Sequence, residues 1–165
     1  GWDTGFDRFN DGDSSDGSNF LGGASLTITD NLTLTYITTV GDLGFRGEGY
    51  TQHIVLDAQV TDKLNYVLLS DLVEANAAGG ANHQFSVANY LIYWYNDCFG
   101  MGGRAEWWKN GGESVYEFTL GVNIKPDANL IIRPEWRYQW SNDAVQLVGA
   151  ADDEGIFAVD AILTF

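Results

Sequence analysis

Arginine and glutamate alternate along three neighbouring stretches of this chain. Arg104 and Glu106 stand two residues apart, Glu117 follows, and Arg133, Glu135 and Arg137 repeat the alternation. Residues i and i+2 share one face of an extended strand. Three such strands side by side would set guanidinium and carboxylate rows against each other. Opposed charges at facing strand positions satisfy one another, and the planar arginine fork holds carboxylates in fixed geometry. Lining a water-filled pore, these rows would impose a transverse field that orients water and screens permeants. In a narrow barrel they would instead be a ladder of ion pairs filling the interior, since eight strands already enclose a space that side chains fill. At about ten strands the filled interior is the nearer expectation, and a larger barrel favours the pore. Asp57, Asp71 and Asp160 join the same polar parity. Carboxylates then outnumber the three arginines, so any aqueous path is expected to prefer cations.

Catalytic readings find little support. The chain has two histidines, His53 and His83, on different segments. A hydrolase needs a nucleophile with a base in reach. His83 with Ser86 is a conceivable pair, and Ser70 has no evident partner; satisfied polar positions are the better reading of all of them. One cysteine, Cys98, and two scattered histidines give no transition-metal spacing, and no cofactor is expected. Gly100–Gly103 reads GMGG inside a strand, where glycine serves curvature or leaves room for neighbouring Arg and Trp.

The elements that must hold these residues are strands. Alternation is clearest from Leu130 to Trp140: Arg133, Glu135, Arg137 and Gln139 oppose Ile132, Pro134, Trp136, Tyr138 and Trp140. The same period predicts strands at about 1–9, 18–29, 32–43, 50–61, 64–74, 84–95, 98–108, 114–125, 129–140 and 155–165. Most exceed the five or six residues usual in soluble domains and reach the roughly 9–11 needed to cross a bilayer. Gln84–Tyr95 is apolar on both parities, which leaves its orientation open; a subunit or a plug against its second face would account for it. Connections alternate between short and long. Thr29–Asn31, Thr61–Lys63, Asn96–Asp97 and Lys125–Ala128 are tight. Asn10–Gly17, Gly44–Gly49, Glu74–Asn82, Lys109–Glu113 and Ser141–Glu154 are longer, matching the short periplasmic turns and long external loops of outer-membrane barrels. An even strand count puts both termini on the short-turn side. Tyr90, Trp94, Trp107, Trp136, Tyr138, Trp140 and Phe165 gather near strand ends and suit interfacial girdles. These features favour a membrane barrel over a soluble calyx, which would turn its apolar parity inward.

Composition sets the remaining bounds. The 165 residues carry 45% hydrophobic and 14% aromatic side chains, six of them Trp, and a net charge of −15. That charge excludes a general affinity for nucleic acid or anionic surfaces. No apolar run approaches a transmembrane helix. Two acidic segments, Asn10–Asp16 (Asp11, Asp13, Asp16) and Ala150–Glu154 (Asp152, Asp153, Glu154), read as solvated loops rather than cation sites. No signal-peptide pattern opens the chain, as for a mature or truncated sequence. Cys98 has no internal partner for a disulfide.

Several segments carry a family resemblance. TLGVNIKPDANLIIRPEWRYQW (Thr119–Trp140), preceded by RAEWW (Arg104–Trp108), resembles the C-terminal half of outer-membrane β-barrel porins from environmental Gram-negative bacteria. GWDTGFDRFN at the start, VTDKLNYVLLSD (Val60–Asp71) and AVDAILTF (Ala158–Phe165) are similar to that family too. The resemblance implies a porin-like barrel in the outer membrane without catalytic residues. Members of that family are longer, so these strands correspond to the C-terminal part of a larger barrel or to a smaller closed relative. The terminal Phe165 resembles the assembly signal of outer-membrane proteins.

The expectation is therefore one all-β domain over 1–165, a transmembrane antiparallel up-and-down β-barrel of about ten strands. Its partners would be the lipid bilayer, small hydrophilic solutes or cations, and further copies of itself. Passive diffusion is the leading function. The alternative is a non-conducting structural barrel that displays acidic loops within an ordered assembly, and a soluble ligand-binding barrel is a remote third.

Overall fold

The computed structural model describes residues 1–3, 18–44, 46–76, 83–141 and 153–164. They form one antiparallel sheet whose strands follow chain order: β1 Trp2–Asp3, β2 Asn19–Thr29, β3 Leu32–Asp42, β4 Glu48–Thr61, β5 Leu64–Ala75, β6 His83–Asn96, β7 Phe99–Asn110, β8 Glu113–Asp127, β9 Leu130–Ser141 and β10 Asp153–Leu163. Each strand pairs only with its sequence neighbours, and β1 and β10 are not paired with each other. This is the up-and-down order expected from the sequence. From β2 onward the strands run from 11 to 15 residues, long enough to cross hydrocarbon at a tilt.

Strand boundaries fall within a few residues of those read from the alternation, with one exception. β1 is described only at Trp2–Asp3, bonded to Phe20 and Asn19; the rest of the strand expected at 1–9 lies outside the described residues. Gly1 therefore sits close to the long-connection end, its ammonium donating to the Leu21 carbonyl (2.7 Å). Thr164 lies at the short-turn end, where its N–H donates to Asn129 O (2.9 Å). The expected placement of both termini on the short side thus holds for Thr164 and not for Gly1.

The tight turns form as expected, each braced by a side chain. Thr61 Oγ1 accepts from the N–H groups of Lys63 and Leu64, and Asn96 Oδ1 accepts from those of Cys98 and Phe99. Such bonds from a turn's first polar residue replace a ladder bond lost where the chain reverses. The Lys109–Glu113 connection, expected to be long, is a two-residue turn at Gly111–Gly112 with Gly111 at φ 66°. A Gly-Gly pair between alternating strands is itself a hairpin signal, because glycine enters positive φ without a Cβ clash. Asp153 and Glu154, expected in an acidic loop, open β10 instead. Residues 10–17 and 142–152 lie outside the described residues.

Exposure is inverted relative to a soluble domain. Among the described residues, buried hydrophobic side chains are confined to Leu43, Ala75 and Ala88. Leu91 is 52% exposed, Leu120 50% and Phe157 71%, whereas Thr51 is 1% and Glu117 8% exposed. A sheet that curls around its polar parity has this property, and a calyx that curls around its apolar parity does not. In water the outer surface would be one apolar patch far larger than monomeric soluble proteins carry. In hydrocarbon the same surface is matched to its solvent, while the ladder satisfies the backbone polar groups between paired strands.

Candidate functional site

The register gathers the predicted charges onto one stretch of the polar face. Counting the predicted charges from the long-connection end, their first cross-strand row is Glu106, Glu117, Gln139 and Glu154, and the second is Arg104, Thr119, Arg137 and Ile156. The third is Gly102, Gly121, Glu135 and Ala158. Below it Gly100 faces Asn123, and Arg133 faces Asp160. Sign therefore alternates along the strands, from an acidic row to a basic row to Glu135.

Glu117 is the hub. Its side chain is 9% exposed and takes Arg104 Nη2 directly, with Arg137 Nε at 3.6 Å on the same oxygen. Thr119 Oγ1 donates to Oε1 (3.1 Å), and Gln139 Nε2 donates to Oε2. Arg104 also reaches Glu106 (3.5 Å), which explains how two glutamates can face one another at Glu106↔Glu117 without net repulsion. Arg137 Nη2 donates to Glu135 (3.1 Å). Arg133 holds Asp160 with both oxygens, Nε to Oδ1 at 2.8 Å and Nη2 to Oδ2 at 2.6 Å. That fork-on-fork geometry is the strongest form of the pair, although both side chains are about half exposed.

Asp57 and Asp71 lie on the same face but on the far side of β6. Asn65 Nδ2 donates to Asp57 (2.6 Å). Asp71 stands between His53 and Ser86 in one row: His53 Nδ1 donates to Oδ1 (2.5 Å) and Ser86 Oγ to Oδ2 (3.1 Å). The carboxylate sits in the middle, so the histidine is not placed to take the serine proton. The conceivable His83–Ser86 pair does not form. His83 bonds Glu74 on the opposite parity, and Ser70 lies on the apolar face opposite Ile54 and Val87.

Strand β6, which its own sequence could not orient, is fixed by its neighbours. Ser86, Ala88, Tyr90, Ile92 and Trp94 share the face of Arg104 and Asp71, while Phe85, Val87, Asn89, Leu91 and Tyr93 share the apolar face. Two aromatics expected in the girdle therefore belong to the polar face. The Tyr90 ring lies 5.8 Å from the Arg104 guanidinium carbon, and Trp94 covers Gly100 with Lys125 Nζ 4.2 Å from its ring centroid. Trp107, Trp136, Tyr138 and Trp140 do lie on the apolar face. Trp107, Tyr116 and Trp140 form one row toward the long-connection end. Tyr116 and Trp140 stack at 5.6 Å, Tyr138 stacks on both Trp136 and Trp140, and Tyr138 Oη donates to Asp153 (2.7 Å). Amphipathic rings with a polar tip turned toward water suit a bilayer interface. Phe165 lies outside the described residues.

The sequence reading passed over Thr119, Gln139 and Tyr90 as members of this network. Thr119 and Gln139 share the parity of the charged residues on their own strands, and that signal was available; Tyr90 has no Asp, Glu, Lys or Arg on β6 to mark its face. Among the described residues, no cluster of three metal-ligating side chains occurs.

An exposed apolar face, a covered face of paired charges and strands of spanning length define a membrane-spanning β-barrel protein. Over residues 1–165 the chain matches the family described as "Putative beta-barrel porin-2, OmpL-like". The chain belongs to that family. No curated protein and no solved structure matches it.

Proposed function

We propose that this chain forms the wall of an outer-membrane porin through which small hydrophilic solutes and ions pass by diffusion, with a preference for cations. The observation that carries this reading is the inverted sheet. Its covered face bears the Arg104, Glu106, Glu117, Arg133, Glu135, Arg137 and Asp160 network, and its apolar face meets hydrocarbon. Passage needs no chemical step. Water and solute move along a wall whose charges are already paired, so neither sign binds tightly enough to stall. The preference follows from the surplus of acids: Asp57, Asp71, Glu106, Glu117, Glu135 and Asp160 share the polar face with Arg104, Arg133 and Arg137. Low-dielectric walls focus such a surplus into a local excess of cations.

The test is single-channel recording of the folded protein in a planar bilayer under a salt gradient. Stepwise conductance with a cation-selective reversal potential is the expected result. An anion-selective potential removes the charge argument. Silence from folded protein removes diffusion altogether and returns the function to a filled barrel that presents its acidic connections to an assembly.

A further inference from the structure

Four glycines on β7 and β8 are used in different ways. Gly100 is occupied: a Cβ there would fall 2.8 Å from the Trp94 ring. Gly103 points to the apolar face. Gly102 and Gly121 face each other across the pair on the polar face, and among the described residues the nearest side chains to a Cβ on either are Ile92 and Glu135, each at 3.7 Å. A Cβ on Gly121 would meet only ordinary contacts, Glu135 Cβ and Pro134 O at 3.7 Å, and one on Gly102 would lie 3.4 Å from Leu91 O. Neither adopts positive φ, which among the described residues is found at Gly41, Gly44, Gly47 and Gly111. The backbone therefore does not require glycine at either position. Glycine in a strand interior gives up packing and costs entropy, so what this pair supplies is room.

That room is a depression of about 260 Å³ sunk into the charged wall. Tyr90 and Ile92 bound it on the β6 side, Arg104 above, Asn123 below, and Glu135 and Arg133 on the β9 side. We propose that it is a binding subsite for a neutral polyhydroxylated solute of monosaccharide size. The choice of ligand follows from the pairing. Each of Arg104, Arg133 and Arg137 already holds a carboxylate. An anion would have to displace those carboxylates and a cation would have to displace the arginines, and opening a partly covered pair leaves an uncompensated charge. A polyol needs neither. Its hydroxyls donate to the spare lone pairs of Glu135 and accept from the guanidinium N–H groups not engaged in pairs. The amide of Asn123 offers both functions, and the ring of Tyr90 with Ile92 covers a C–H face of the solute.

This subsite rests on the reading of the polar face as the wall of an aqueous path, and the two can fail separately. The full-length protein, folded in detergent, is titrated with D-glucose by calorimetry, with glycerol as the smaller control, and the same preparation is recorded in bilayers. Saturable glucose binding at millimolar concentration, weaker for glycerol, is expected. Gly121→Leu fills the depression and should weaken binding at least tenfold. Tyr90→Leu should weaken it comparably and guards against a folding defect in the first variant. Conductance without saturable binding overturns the subsite and leaves diffusion standing. Binding that both folded variants retain overturns it as well. Binding in a protein that never conducts supports the subsite and removes the diffusion reading.

Discussion

The two halves of the polar face satisfy themselves by different means. On β2–β4 the partners are neutral hydroxyls, and carboxylates enter only where β4 meets β5, at Asp57 and Asp71. Ser25 and Thr35 hydroxyls meet at 3.0 Å, and Thr39 and Thr51 at 2.5 Å. On β7–β10 the partners are guanidinium and carboxylate groups sharing a glutamate hub. Threonine pairs are short, stiff at χ1 and lie close to the sheet. Arginine and glutamate reach further, and the wall they build dips over Gly102 and Gly121. The lesson concerns tolerance. A neutral pair that loses one member leaves a hydroxyl that water can serve, whereas an ionic hub that loses its centre takes a carboxylate from two guanidinium groups at once.

The sharpest test of that contrast is Glu117→Ala. Arg104 and Arg137 would both lose their shared carboxylate and keep only Glu106 and Glu135, and the expected loss of stability is about 2–3 kcal/mol, read by urea unfolding in lipid vesicles. A loss no larger than that of a threonine variant would show that the ionic half is not organised around this residue. Gly100→Ala comes next. Its methyl group collides with the Trp94 ring, and a forced shift of this kind costs about 1–3 kcal/mol; Trp94 fluorescence should change with it. Thr51→Val, in the neutral half, should cost about 1 kcal/mol, because the Oγ1 that bonds the Thr39 hydroxyl and N–H is lost while shape is kept. Combined with Thr39→Val, it should cost less than the sum of the two, since both variants remove the same bond. The smallest effect is expected for Arg133→Ala. Its pair with Asp160 is half exposed, so less than about 1 kcal/mol is at stake, falling further in high salt.

Period-two alternation made β2–β5 and β7–β10 legible, because one residue of slip would turn every side chain to the wrong face. It failed on β6 for a physical reason. Ala88, Tyr90 and Ile92 are apolar side chains on the polar face, and only the register with Arg104 and Asp71 reveals their side. The same strand misled the girdle assignment. Residue type placed Tyr90 and Trp94 with the other aromatics, and with Ser86 on their parity and Asn89 on the other nothing in the strand spoke against it. The two-residue turn at Gly111–Gly112 was misjudged by treating glycine and polar character as a sign of length. The Glu117 hub was half visible: its arginines stood out, but Thr119 and Gln139 bond it through neutral groups that sequence alone does not mark as belonging to a charge network.

Strand direction carries a consequence of simple parity. β2 and β10 both run from the long-connection end toward the short-turn end, so they point the same way. An antiparallel ring can join two such strands only through an odd number of intervening strands. The short β1, which runs the opposite way, is one of these. Any route that closes this wall into a cylinder must therefore add strands in pairs or none at all, and the finished ring has an even count.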